Sequence, residues 1–183
     1  AEKYSSHFDF NFLGINGDEV PRSKVPEMGQ ILLIEIPLLL IGIVFLVSTK
    51  LFSQKIKIFI FSFLFISPIA SSLTFQAPSA LRSLPLVIPL TIFISCGIYQ
   101  TFILLKNPSI RQGKFNPKIL NLITISFIAI YGYFIAYYLD SYFFHYAKRY
   151  PFAWQYQFDS LVPYVESQKD KYSNIYITDK YDQ

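Results

Sequence analysis

Charge is what this sequence has least of. Only 15% of its residues are charged, 52% are hydrophobic, and the mean hydropathy is +0.36. Soluble domains carry roughly a quarter charged residues, so this chain is short of solubilising surface. Cysteine is scarcer still. Cys96 stands alone, which excludes an internal disulfide and leaves a small packing residue inside an apolar run. The two histidines, His7 and His145, are far apart and lack metal-ligand spacing. A zinc site therefore has no support and no cofactor is implied, with a divalent-cation requirement left open. Ser-His-Asp constellations, phosphate-cradling glycine loops and paired cysteines are also missing, so soluble-enzyme chemistry finds no foothold.

What the chain does have is long apolar stretches. They are Ile31–Val47, Ile58–Leu73, Leu84–Leu105 and Ile119–Leu139, each near the ~20 residues that cross a ~30 Å hydrocarbon layer. The first carries one acid, Glu35, and the others carry no charge. The second is the shortest and needs flanking residues to span. Four such runs predict a multi-pass membrane protein. Lys50, Lys55 and Lys57 follow the first run, and Lys106, Arg111, Lys114 and Lys118 follow the third, with no acid in either loop. By the positive-inside rule both loops are cytoplasmic. Eleven of the twelve acids then lie outside, Glu35 being the exception. The net charge of +4 is accordingly a topology signal, and nucleic acid is not an expected partner.

The expected organisation is an outer loop over residues 1–27, a four-helix transmembrane region over 28–139, and an outer C-terminal domain over 140–183. In the first loop, Asn16-Gly17-Asp18 marks a tight turn, and Tyr4, Phe8, Phe10 and Phe12 suit the membrane surface. "YFFHYAKRYPFAWQYQ" reads as an interfacial aromatic belt, with Trp154 an anchor within it. Phe158, Leu161, Val162 and Val165 recur at helical spacing, and "IYIT" alternates like a strand. The predicted fold class is thus an α-helical polytopic membrane protein with about four transmembrane helices and the start of a small extracytoplasmic α/β domain. The chain begins AEKYSS and stops at ITDKYDQ, and both ends are expected to be cuts through a longer protein.

Arg82 is the one charge between two long apolar runs. It lies in "QAPSALRSLPLVIPL", with no acid near it in sequence. One reading makes it a headgroup anchor for the end of the third helix. The other makes it a phosphate ligand, a task its planar fork suits, on a backbone shaped by Pro78 and Pro85. Glu35, followed by Pro37, is an ionisable group in an apolar run. It is either functional or paired with a neighbouring helix.

Four segments occur in order: "HFDFNFLGINGDEVPRS", "GQILLIEIPLLLIG", "SPIASSLTFQAPSALRSLPLVIPL" and "RYPFAWQYQFDSLVPYV". Together, over roughly residues 4–181, they resemble the C-terminal half of bacterial membrane glycosyltransferases related to the protein O-mannosyltransferases and the aminoarabinose transferases. The resemblance implies a polyprenyl-phosphate-linked sugar as donor and a hexose-type sugar moved to an acceptor on the outer face of the bacterial plasma membrane. It leaves the acceptor open between protein, lipid and glycan. On this reading Arg82 and Gln76 hold the donor's phosphate, and Asp18, Arg22 and Glu35 face the sugar or acceptor. The acidic catalytic residue is expected upstream, in the first outer loop of the whole protein, so this fragment alone is expected to be inactive. The family pattern often has a histidine after the position of Arg22 and another three residues before Arg82. Ser23 and Ser79 stand there instead. The alternative from another class is a membrane transporter or a non-catalytic scaffold, and a transporter is expected to place paired charges or broken helices at mid-membrane.

The charge pattern sets a topology that is directly measurable. Cysteines placed at Ser53 and Ser173 in a Cys96→Ala background are expected to label oppositely with an impermeant maleimide in intact cells, Ser173→Cys reacting and Ser53→Cys not. Equal labelling contradicts the assignment.

Overall fold

Apolar runs make the helices, and prolines and polar caps set where they start. The computed structural model describes residues 1–106, 117–154, 156 and 158–177. The principal helices are α1 (Glu35–Ser48), α2 (Gln54–Ile66), α3 (Val87–Lys106), α4 (Pro117–Asp140) and α5 (Phe158–Gln168). Pro37 and Pro89 fall in the first turns of α1 and α3, and Pro117 opens α4. There the missing N–H costs no helical hydrogen bond. Ser53 caps α2 by accepting from the Ile56 N–H at 3.4 Å.

With their continuing turns, three helices are long and apolar enough to cross a membrane: Gln54–Ser72, Leu84–Leu105 and Asn121–Arg149. The fourth, α1, has 14 residues, about 21 Å of helix at 1.5 Å per residue. That corrects the predicted Ile31–Val47 span. The Ile31 N–H donates to the Leu13 carbonyl at 2.9 Å and the Gln30 N–H to that of Phe12 at 3.4 Å, so these residues pair with the N-terminal loop. The Leu32 N–H donates to the Glu35 Oε2 at 2.9 Å, a side-chain cap at the helix start. Glu35 is therefore the first residue of α1. The second run, shortest by sequence, gains Gln54–Lys57 and becomes a full-length span. At the far end of α1, Lys57 is buried and its Nζ donates to the carbonyls of Val47 (2.9 Å) and Thr49 (2.5 Å). A cation on the last carbonyls of a helix is favoured both by hydrogen bonding and by the helix dipole. The predicted loop over 107–116 lies outside the described residues.

Inside a membrane there is little hydrophobic drive between helices, so close packing holds them. Leu38, Gly42 and Leu46 line one face of α1 and meet α3. A Cβ on Gly42 would overlap the Phe93 carbonyl, and one on Gly97 would overlap the Leu38 carbonyl. The two backbones touch at this crossing, the helices running in the same sense, with Phe45 further along α1 packed on Tyr99 further along α3. Around it Leu46, Ile60, Leu64, Leu86, Leu90, Phe93 and Cys96 form the core, joined by Phe12 and Leu13 from the N-terminal loop. The Phe61 and Phe93 rings lie 5.2 Å apart. α4 is different: its apolar window buries nothing, and Gly132 has open space around it.

Part of the N-terminal loop, residues 1–27, packs inward. Phe12 and Leu13 are buried, and His7 and Asp18 with them. Gly17 has a φ of +67°, as the predicted tight turn requires. After α4, the backbone continues through Ser141–His145 and Tyr146–Arg149. Tyr138, Tyr142 and Tyr146 stack in sequence there, with centroids 6.2 and 5.8 Å apart. α5 forms where the spacing of Phe158, Leu161, Val162 and Val165 predicted a helix. No strand occurs among the described residues, which corrects the α/β expectation. Ile175–Ile177 carries no assigned secondary structure, and a strand needs a partner to satisfy its backbone. Thr178 lies outside the described residues.

The glycine crossing yields a comparison within one protein. Gly42→Ala and Gly97→Ala should each destabilise the bundle by about 1–3 kcal/mol, the usual range for overpacking against atoms that cannot move aside. Gly132→Ala should be neutral or stabilising by up to about 1 kcal/mol through helix propensity. Unfolding in mixed detergent micelles measures all three; equal effects would contradict the crossing.

Candidate functional site

The segment between α2 and α3, Ser71–Ser83, is held from behind by two buried polar side chains. His7 is 0% exposed and Asp18 1%. The His7 Nδ1 lies 3.0 Å from the Lys3 carbonyl, which only accepts, so Nδ1 carries the ring hydrogen. Nε2 then accepts from the Ser71 hydroxyl at 2.8 Å and, more weakly, from the Ser79 N–H at 3.4 Å. The imidazole of His7 thus reaches Ser79 from 72 residues away. Asp18 accepts from the Val20 N–H at 2.9 Å and from the Ala80 N–H at 2.6 Å. Apart from the Ser71 hydroxyl, both side chains thus spend their polar atoms on the backbone of this turn or of their own loop. They give it a fixed shape.

The exposed side of the turn carries two cations. The Arg82 Nη1 donates to the Thr74 Oγ1 at 2.9 Å and to the Gln76 carbonyl at 3.3 Å. The Lys3 Nζ donates to the Thr74 and Phe75 carbonyls at 3.0 and 3.3 Å, and sits 5.7 Å from the Phe75 ring centroid. Among the described residues no carboxylate pairs with either cation, and the Nε–Nη2 edge of Arg82 makes no hydrogen bond. Leu73 is 83% and Phe75 95% exposed, with Leu81 and Leu84 open beside them. Fixed positive charge and bare apolar surface meet at the end of a membrane bundle.

Glu35 belongs to a second feature. It lines a cleft of ≈ 270 Å³ walled by Leu86, Leu90, Ile94 and Ile98 of α3, with Gln30, Thr91, Ser95 and Tyr131 supplying polar atoms. Its Oε1 accepts from the Tyr131 hydroxyl at 2.6 Å and its Oε2 from the Leu32 N–H at 2.9 Å. Tyr131 of α4 is the neighbouring-helix partner that the sequence left unnamed. Ala80 and Ser83 also line this cleft, so the turn separates it from the cations.

Arg22 lies elsewhere. Its Nε donates to the Ala153 carbonyl and its Cζ sits 5.9 Å from the Trp154 ring. Trp154 Nε1 donates to the Tyr146 hydroxyl at 2.9 Å, which donates to the Pro21 carbonyl at 3.0 Å. Trp154 is therefore a platform for Arg22 as well as part of the belt. Of the five residues singled out by sequence, Arg82 and Gln76 share one turn, and Gln76 takes part through its carbonyl. Asp18 braces the back of that turn, Glu35 lines the adjoining cleft, and Arg22 joins the N-terminal loop to the belt. Lys3, His7 and Tyr131 add contacts that no local motif announces. Among the described residues there is no group of three or more metal-ligating side chains. Comparison with protein-family models, curated proteins and solved structures finds no match.

If Asp18 shapes the turn, Asp18→Ala should strip the Ala80 amide of its acceptor and cost about 1–3 kcal/mol, the penalty of an unsatisfied buried donor. Hydrogen exchange at Ala80 should accelerate while that at Thr49, capped within α1, stays slow. Unchanged protection at Ala80 would remove the bracing role.

Proposed function

We propose that this chain is the donor-holding part of an integral-membrane glycosyltransferase, moving a hexose-type sugar from a polyprenyl-phosphate donor to an acceptor on the outer face of a bacterial plasma membrane. The observation that carries this reading is the turn on which Lys3 and Arg82 present charge without a carboxylate partner, beside exposed Leu73, Phe75, Leu81 and Leu84. A polyprenyl phosphate has the same two-part character: an anionic head at the membrane surface and an apolar chain in the lipid.

The chemistry follows from that fit. The bond from the anomeric carbon to the phosphate oxygen breaks, a bond from that carbon to the acceptor oxygen forms, and the acceptor's proton passes to a carboxylate. The departing phosphate gains charge as the bond breaks, and cations fixed in advance stabilise it without reorganisation. Arg82 is anchored through Nη1 and keeps its Nε–Nη2 edge for two phosphate oxygens. Lys3 adds a point charge from the other side of Thr74. Gln76 is proposed to hold the turn in register, and Glu35 to face the cleft on its far side. The resemblance puts the proton-accepting carboxylate in the first outer loop of the whole protein, so this chain holds the donor and does not turn it over alone.

Donor turnover by the full-length enzyme, normalised to inserted protein, should fall for Arg82→Lys, which keeps the charge and loses the fork. It should fall further for Arg82→Ala, by roughly 2–4 kcal/mol of transition-state stabilisation, as when one oxyanion-type donor is removed. Lys3→Ala should also lower it, and insertion should stay normal in all three. Unchanged turnover per inserted molecule with reduced insertion would instead make Arg82 a helix anchor.

A further inference from the structure

A second polar cleft, of ≈ 340 Å³, opens where α4 leaves its apolar stretch. Three irregularities converge on it. The helix shifts to the wider π pattern over Ser141–His145, a bulge found often at functional sites. Across the cleft, Glu27 has a φ of 58° and is alone among the described non-glycine residues in being left-handed, a conformation that costs energy in any residue with a Cβ. Between them Ser141 lines the cleft, 5% exposed, and its hydroxyl has no hydrogen-bond partner among the described residues. Its hydroxyl is left to whatever fills the cleft, as both donor and acceptor.

The lining identifies the ligand's chemistry. Asp140 and His145 pair at 3.2 Å, and Glu27 and Arg149 at 2.6 Å. Lys148 has no partner among the described residues. A carboxylate with one partner keeps free lone pairs, and a guanidinium keeps free N–H groups. Acceptors and donors therefore alternate around the cleft. A simple anion would meet Glu27 and Asp140, a simple cation would meet Lys148 and Arg149, and an apolar chain would satisfy none of them. A ring of adjacent hydroxyls, each both donor and acceptor, matches every group.

We propose that this cleft is a saccharide-binding site and that it receives the acceptor sugar. The saccharide assignment stands on the lining; the acceptor role rests on the transferase reading. Pro26 and Glu27 lead into Gln30 and Ile31, which line the Glu35 cleft, and Tyr137 follows Tyr131 along α4. Six residues of helix separate the two tyrosines, about 9 Å along the axis. A sugar held here lies toward the Glu35 cleft.

Saturation-transfer NMR on the chain in nanodiscs tests this with methyl α-mannoside, methyl α-glucoside, methyl α-galactoside and, as the headgroup alternative, glycerophosphoethanolamine. Transfer to at least one glycoside is expected. Ser141→Ala and Asp140→Asn should each weaken it about tenfold, the loss of one charge-assisted hydrogen bond or of one otherwise unmet hydroxyl. Glu27→Gln, a change at an exposed side chain, gives a third reading free of folding effects, and circular dichroism checks the others. Lys3→Ala with Arg82→Ala should leave glycoside binding intact. No transfer to any glycoside, transfer unaffected by all three cleft variants, or transfer to glycerophosphoethanolamine alone would overturn the proposal. Failure of the unaltered chain to bind a polyprenyl phosphate at Arg82, with glycoside binding retained, would count against the transferase reading and not against this cleft.

Discussion

The contact between the backbones of α1 and α3 at Gly42 and Gly97 is the constraint from which the remaining geometry follows. With no side chain between them, the helices cross closely enough for Leu38 to meet Gly97 and Phe93 to meet Gly42. Dispersion across a long seam then takes the place of hydrophobic drive. The crossing brings the start of α1, with Glu35, beside the start of α3, where the Ser71–Ser83 turn enters. α2 joins through Ile60 and Leu64. α4 stays at the margin, meeting the bundle within the membrane through the Tyr131–Glu35 hydrogen bond and closing on it beyond through Tyr146, Arg149 and Ala153.

Above the crossing, polar groups do what apolar packing does below. His7 and Asp18 are the buried members of that layer, and each is matched to backbone donors and acceptors, the condition under which buried polar groups add order. The turn they brace is rigid on its inner side and open on its outer side. Charge and apolar surface are displayed together there, and Asp18, the acid behind the turn, is committed to the Ala80 and Val20 amides. A site for an anionic lipid needs both properties at one place.

Hydropathy made most of the fold legible. Length and lack of charge are sufficient to identify a span, and the period of Phe158, Leu161, Val162 and Val165 was enough for α5. What hydropathy could not reveal was where α1 starts: an apolar run looks helical throughout, and here Ile31 pairs with Leu13 while the Glu35 carboxylate caps the Leu32 N–H. No strand forms over Ile175–Ile177 among the described residues, since alternation describes a face and says nothing of a pairing partner. In the site, Arg82 stood out as a lone charge between apolar runs. Lys3 and Tyr131 did not, since they arrive from 71 and 96 residues away. His7 was discounted as an isolated histidine with no ligand spacing. Its importance lies in the backbone groups that the fold brings to it, which no spacing rule encodes.

The central claim is that Arg82 meets the phosphate of a polyprenyl lipid through its free edge. Nitrogen-15 to phosphorus-31 dipolar dephasing, on arginine-labelled chain reconstituted with undecaprenyl phosphate, measures that contact directly. The account predicts dephasing of one guanidinium signal that disappears in Arg82→Lys and persists in Arg22→Lys. Absence of dephasing, or dephasing that survives Arg82→Lys, would contradict it.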